Sequence, residues 1–538
     1  VIHMKNKAIT LITALCVVVL FIFTPAYAQT SDSNEILDEV RYLIENYYVE
    51  EVSEDVLNAG DIEDIIQALG DPYSSYMTAD EYQALMDSIE MEFVGIGVTV
   101  EKVPEGVLIL SVFKGSGAEA AGLQPGDIII NANGVDLKDL DLSEALRYIK
   151  GDEGTAVLLT IKRGDVVFSV PVLRKRITLP TVEWELIDEV GYIRVWSFGE
   201  DTATQFEQAV KELEEEGAKG LIIDLRGNGG GYLQSGVDMA GYFTDGQPAT
   251  LVHVRSEGTY YLVPEQDFQV DLPVLVLIDG FTASASELFA GALQDYSRAY
   301  LLGGNTFGKG SIQSLFPLSD GSVLRLTVGH FYTPRGRQIS GTGLKPDLNL
   351  RDEFLLNAAV LLLGGDAENR NSKEGFTAVQ IKEGDILDVD LSKARSDEYW
   401  ESYRHIIESA LNEGKELYIG TDDGWQKSGE LQLYRWYYPY YDEVPVLKGI
   451  KPDKEFTVTF SKPVDAGEVK GKIQLIDAET GERTPCSVFQ LSDNQVKVVP
   501  DELLQSGREY YLVIEEGIRA RTGAYLGQGV LCRAVVEE

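Results

Sequence analysis

The sequence predicts a multidomain α/β protein: an N-terminal helical arm, a strand-rich module, an α/β core and a C-terminal β-sandwich. Three observations carry this. The chain has 538 residues, too many for one hydrophobic core. Between residues 176 and 352 strands and helices alternate, as "GYIRVWSF", "TATQFEQAVKELEEEGA", "GLIIDLRGNGGG" and later "VLVLIDG". Near-continuous apolar strands such as the last belong to parallel sheets covered on both faces. From residue 441 the pattern turns to short alternating strands such as "KEFTVTF" and "YYLVIEE".

Residues 1–28 read as an export signal. Lys5 and Lys7 precede an apolar run from Ala8 to Phe23, and Ala26-Tyr27-Ala28 is a small-x-small cleavage site. The run is short for a membrane span of ~20 residues. Cleavage after Ala28 is expected, giving an extracytoplasmic protein, secreted or in the cell envelope; an uncleaved leader would be its contact with the membrane. Residues 29–90 read as helical, with Ile36, Val40, Leu43 and Ile44 on one face. "LGDPYSSYMTADEYQAL" is a turn followed by a helix starting near Thr78 or Asp80. Such an arm either packs within the chain or pairs with a second subunit as a homodimer.

A net charge of −41 argues against nucleic acid as a partner and against docking on anionic lipid. The three cysteines are Cys16, Cys486 and Cys532. The last two could form a disulfide in an oxidising compartment or remain buried thiols. The four histidines form no HExxH, and no cysteine cluster has zinc-ligand spacing. Chemistry without metal or cofactor, and without histidine, is therefore expected.

Residues 91–175 carry alternating Val and Ile with glycine turns, and "GSGAEAAGLQPGDIIINANG" places a short helix, a turn and a buried strand in succession. This stretch resembles a PDZ domain. The resemblance implies capture of a chain's C-terminus by strand addition to an open sheet edge. Backbone N–H groups near Gly95, Ile96 and Gly97, with Val98 starting the strand, would take the carboxylate.

The chemistry centres on "VLVLIDGFTASASELFAGALQD": a buried strand, a turn of small residues, then a helix. Ser284-Ala285-Ser286-Glu287 fits a capping box, and alone would be read as one. The carboxyl ends of strands in such sheets are also where ligands bind. A nucleophilic serine needs a base, and G-x-S-x-G is absent. Lys309, between two glycines in "TFGKGSIQ", is the candidate. At pH 7 only about one unperturbed lysine in 2,500 is neutral; burial lowers the pKa into a working range. Gln313 lies four positions on, on the same strand face, where it would hold the amine without adding charge. The glycines of "DLRGNGGGYL" let the backbone approach a substrate, and their N–H groups, with that of Ala285, can donate to an oxyanion. Each feature has a plainer reading: a snorkelling lysine, a polar strand residue, a flexible turn.

Together, "IIDLRGNGGGYL", "TASASELFAGALQDYSRAYLLGG", "TFGKGSIQ" and "RLTVGHFYTPRGRQISGTGLKPD" strongly resemble the C-terminal processing peptidases, the tail-specific serine proteases of peptidase family S41. The order of parts matches over roughly residues 34–350. The resemblance implies a crotonase-like α/β protease core over 176–352. It implies Ser284 as nucleophile, Lys309 as base, Gln313 as its support, and Ala285 with Gly230 or Gly231 as oxyanion donors. Substrates would be proteins or peptides with accessible C-termini. Lys150 stands where relatives often carry Arg, which puts in doubt the coupling that this Arg gives between PDZ and core. A catalytically inactive secreted PDZ adaptor is the alternative; an acyl-CoA enzyme of crotonase type is a third, disfavoured by the lysine motif. Residues 353–440 read as a mixed linker region with a helix in "SDEYWESYRHIIESALNEG"; the aromatic "LQLYRWYYPYYDEV" suits packing between domains better than a carbohydrate platform. Residues 441–538 resemble bacterial Ig-like modules.

Overall fold

The computed structural model describes residues 33–427 and 436–538. The export signal and its cleavage site lie outside the described residues.

The core is a six-stranded sheet in the order Val182–Ile187, Val190–Val195, Gly220–Asp224, Val274–Ile278, Tyr300–Gly303, Leu348–Asn349. The first pair is antiparallel and the rest are parallel. Side chains alternate in direction along a strand, so each strand feeds two layers. Leu221, Ile223, Val274, Val276 and Ile278 join one core with the helices Thr202–Glu215, Leu233–Thr244 and Ala285–Asp295. Ile222, Leu275, Leu277 and Leu302 face the other way, against Leu355, Ala358, Ala359 and Leu361 of the helix Asp352–Leu363. That covering helix falls almost wholly beyond the core boundary at 352 read from the sequence.

A second, antiparallel sheet flanks the first. Its long strand Val323–Tyr332 pairs with Ser311–Pro317 and with Thr250–Val254. It also takes Ser75–Met77 from the N-terminal region, with Ser75 opposite Arg325. In the arm, Ile36, Val40 and Ile44 of the helix Ser33–Tyr47 are buried against Leu318, Leu324 and Leu326. The arm thus packs within the chain. Thr78 caps the helix Ala79–Ile89 through a capping box with Glu81.

The PDZ module hangs on two adjacent strands: Glu92–Gly95, which leads in, pairs antiparallel with Lys175–Thr178, which leads out. Arg176 ties this neck to Asp87 and Glu92, at 2.6 and 3.0 Å. Its sheet runs Val98–Val103, Gly106–Val112, Ile128–Ala132, Ala156–Arg163, Val166–Leu173, around a core of Val107, Ile109, Ile129, Val157, Leu159 and Ile161.

Residues 353–440 contain more than a linker. A four-stranded antiparallel sheet, made from Phe376–Lys382, Asp385–Asp390, Leu417–Thr421 and Gly424–Lys427, packs with the helix Trp400–Asn412. The described part of the aromatic segment is interior. Trp436, Tyr437 and Tyr438 are each 1% exposed, in one core with Trp400, Tyr403 and, from the tail, Ile476, Tyr511 and Leu531. The Arg395 guanidinium lies over the rings of Tyr438 and Tyr441, at 4.6 and 4.9 Å. Among the described residues of the segment, this burial leaves no platform for a sugar. The tail is a sandwich of a five-stranded and a three-stranded sheet. Cys532 is a free thiol in its core and Cys486 a half-buried one packed against it, both with pKa values raised by burial.

Candidate active site

Ser284 stands at the turn between the buried strand Val274–Ile278 and the helix Ala285–Asp295, with φ 59° and ψ −119°. A side chain other than glycine rarely takes a positive φ, and holding one there costs about 1–3 kcal/mol. The surroundings hold it. Asp279 accepts the N–H groups of Phe281 and Thr282, both at 2.9 Å, and the Thr282 hydroxyl donates to the Leu225 carbonyl at 2.9 Å. Ser286 donates to the Asn228 carbonyl at 3.0 Å. Thr282 and Ser286 are both fully buried, so these two hydroxyls tie the turn to the 224–231 loop and leave Ser284 as the half-exposed one. This is a strained strand-turn-helix elbow of the kind that presents a nucleophile, built without the flanking glycines of G-x-S-x-G.

Glu287 has a larger part than a helix cap. Its buried carboxylate receives the Ser284 N–H at 3.0 Å and the Lys309 N–H at 2.8 Å on the same oxygen. The other oxygen receives the Thr306 hydroxyl at 2.5 Å and the Gly308 N–H at 2.8 Å. The Glu287 N–H donates to the Ser284 carbonyl at 2.9 Å, which leaves the serine hydroxyl out of the capping arrangement. One carboxylate therefore fixes the serine turn to the lysine loop. The signal for it, S-x-x-E, was visible in the sequence; its second pair of partners was not.

The Lys309 side chain is largely enclosed. Burial is the main cause holding its pKa below the ordinary lysine value; the Arg325 charge acts the same way, while Asp71 and Glu287 oppose it. Gln313 is placed differently from the period-two reading. The strand starts at Ser311, after Gly308 at φ 92°, and its register shifts between Ile312 and Gln313. The Gln313 amide nitrogen donates to Ser311 at 2.9 Å and to Thr327 at 3.3 Å. Among the described residues no hydrogen bond joins Gln313 to Lys309.

The glycine loop lies against the elbow. A Cβ on Gly230 would sit 2.7 Å from the Ser284 Cβ and 3.0 Å from the Ala285 nitrogen, so only glycine allows this approach. The Gly230 N–H is taken by the Asn228 side chain at 2.9 Å. Of the two glycines proposed as oxyanion donors, Gly231 is the one whose N–H has no acceptor among the described residues; the Ala285 N–H is likewise free. Behind the loop, buried Asp224 meets Arg194 at 2.7 Å and Arg226 at 2.6 Å. Burial alone would raise its pKa; the hydrogen bonds and charge of Arg226, and then the charge of Arg194, outweigh burial and hold it low.

In the PDZ module Gly95, Ile96 and Gly97 are buried, with the Ile96 carbonyl taken by the Ala118 N–H at 2.8 Å and the Gly97 carbonyl by the Phe113 N–H at 3.0 Å. Val98 begins a strand that is the last of its sheet, so the turn opens on an unpaired edge.

The chain is a serine-type peptidase, and its PDZ module implies protein or peptide substrates. The chain belongs to peptidase family S41: that family's model matches residues 189–350. Models of a PDZ domain, of the activating protease CtpB N-terminal domain and of a bacterial Ig-like domain match 108–163, 25–81 and 445–530. Among curated proteins it is 37% identical over 360 residues to the carboxy-terminal processing protease CtpA of Bacillus subtilis (strain 168), covering 66% of this chain and 76% of that protein. It is 33% identical over 388 residues to a probable CtpA-like serine protease of Staphylococcus aureus (strain COL), covering 69% and 78%. The photosystem II D1 C-terminal processing protease is a similar solved structure, 27% identical, with a TM-score of 0.40, covering 63% of this chain and 98% of that one.

Proposed function

We propose that this protein is an exported endopeptidase that cuts protein substrates near their C-termini through a Ser284/Lys309 dyad. The observation that carries the reading is the elbow: a serine held at positive φ at a helix N-terminus, with Glu287 binding its backbone and that of Lys309 to one oxygen. Neutral Lys309 removes the hydroxyl proton as Ser284 attacks the scissile carbonyl. The N–H groups of Ala285 and Gly231 receive the oxyanion, Lys309 protonates the leaving amine, and water hydrolyses the acyl-enzyme. Gln313, four positions beyond Lys309, supports the amine by a hydrogen bond that adds no charge. The PDZ turn at Gly95–Val98 takes the substrate's terminal carboxylate and its open edge takes the tail as an added strand.

A serine-reactive fluorophosphonate should label the folded protein, with the adduct on Ser284 by peptide mapping and none on Ser284→Ala. A folded protein that takes no label at Ser284 would be the inactive adaptor instead.

A further inference from the structure

We propose that Tyr73, from the turn "GDPYSS" of the N-terminal region, is a positioning residue for Lys309, its ring forming one wall of the pocket in which the amine loses and regains its proton. The inference rests on the reading of Lys309 as the base.

The Lys309 Nζ lies over the Tyr73 ring, 5.1 Å from its centroid. The backbone that carries the ring is held from both sides. The Tyr73 N–H donates to Asp71 at 3.0 Å, and its carbonyl receives the Arg325 Nε at 2.8 Å. Next in the chain, the Ser74 hydroxyl donates to Asp71 at 2.6 Å and accepts the Thr327 N–H at 3.0 Å. Ser75–Met77 then joins the flanking sheet. A segment more than 200 positions upstream is thereby built into the site by the same strand that carries Arg325.

The ring acts on the amine in two opposed ways. As an apolar wall it keeps water from the ammonium and favours the neutral base. As a π face it attracts the cation and favours the proton. The charges facing the amine come from three elements: Arg325 from the long strand of the flanking sheet, Asp71 from the turn itself, and Glu287 from the helix behind Ser284. Burial, then Asp71 and Glu287, raise the Tyr73 hydroxyl's own pKa, so it stays neutral through the working range. A neutral ring between charges of both signs suits a base that must be deprotonated to start a turnover and protonated halfway through it.

The two effects are separable by substitution. The readouts are the pH dependence of fluorophosphonate labelling of Ser284 and of kcat/KM on casein, in the full-length chain, with folding checked by thermal unfolding. Tyr73→Phe keeps the wall and the face, and its acid limb should superimpose on that of the unaltered protein. Tyr73→Leu keeps the wall without the face, and should move the limb to lower pH by about half a pH unit, the size of an ordinary cation–π contact. A ring-fluorinated phenylalanine at position 73, which fits the same space with its face reversed in sign, should move it the same way. Tyr73→Ala admits water, and should move the limb to higher pH with a several-fold lower rate at pH 7. Leu and Ala variants that keep the original limb, or shift it in the same direction, would overturn the proposal. Where either fails to fold, an unshifted limb in the fluorinated variant does so alone. Lys309→Ala separates this from the dyad: retained activity there sinks the base assignment, whereas loss there with unshifted Tyr73 variants sinks only the role of the ring.

Discussion

Lys309→Ala should lower kcat/KM on an unfolded protein substrate by about 10²–10⁴-fold, the usual worth of a positioned general base. The thermal midpoint should not fall, because the substitution removes an amine whose charge is opposed by burial. Lys309→Arg should be equally inactive. A guanidinium keeps the charge and the hydrogen-bonding capacity but does not deprotonate at any working pH. In the unaltered protein, activity should appear as pH rises through the Lys309 pKa, since the unprotonated amine is the working form. Burial holds that pKa below the ordinary lysine value, so the acid limb should also lie below it. A limb at the ordinary value would remove the effect of burial on the amine, and residual activity in the Arg variant would remove lysine from the reaction.

Glu287→Gln should damage both folding and catalysis. The carboxylate has four donors on two oxygens: two N–H groups on one, a hydroxyl and an N–H on the other. An amide keeps one accepting oxygen and turns a donor toward groups that can only donate or that must reorient. Breaking a buried charged contact of this kind costs about 3–5 kcal/mol. The expected result is a thermal midpoint lower by several degrees and kcat lower by at least about 10²-fold, with KM little changed. Normal turnover in Glu287→Gln would show that the serine turn and the lysine loop hold their places independently.

The sequence carried Ser284, Lys309 and the glycine loop because each sits in a local pattern: a buried strand before the serine, glycines on both sides of the lysine, three glycines after a strand. The layer architecture was legible for the same reason, since apolar runs such as Val274–Ile278 announce a sheet covered on both faces. What was not legible depends on segments meeting across the fold. Glu287 looked like a helix cap because its Ser284 contact is local; the 306–309 loop reaches it from twenty residues on. Gln313 was placed by strand periodicity, but the strand begins at Ser311, so that period does not reach back to Lys309. Gly230 and Gly231 are equivalent as letters, and one side chain, Asn228, distinguishes them. Tyr73 read as part of a turn, which it is. Its neighbour Lys309 comes through a strand pairing that no local pattern encodes.

The lower face of the catalytic sheet has a consequence for how such a chain came to be. Ile222, Leu275 and Leu277 of the sheet share one continuous interior with Trp400 and Tyr437 of the middle segment and Tyr511 of the Ig-like tail. Modules joined by a flexible tether can be gained and lost as beads on a string. Modules welded through a common interior cannot. A chain cut after residue 352 would lose the helix and the later segments that cover this face, leaving Ile222, Leu275 and Leu277 open to water.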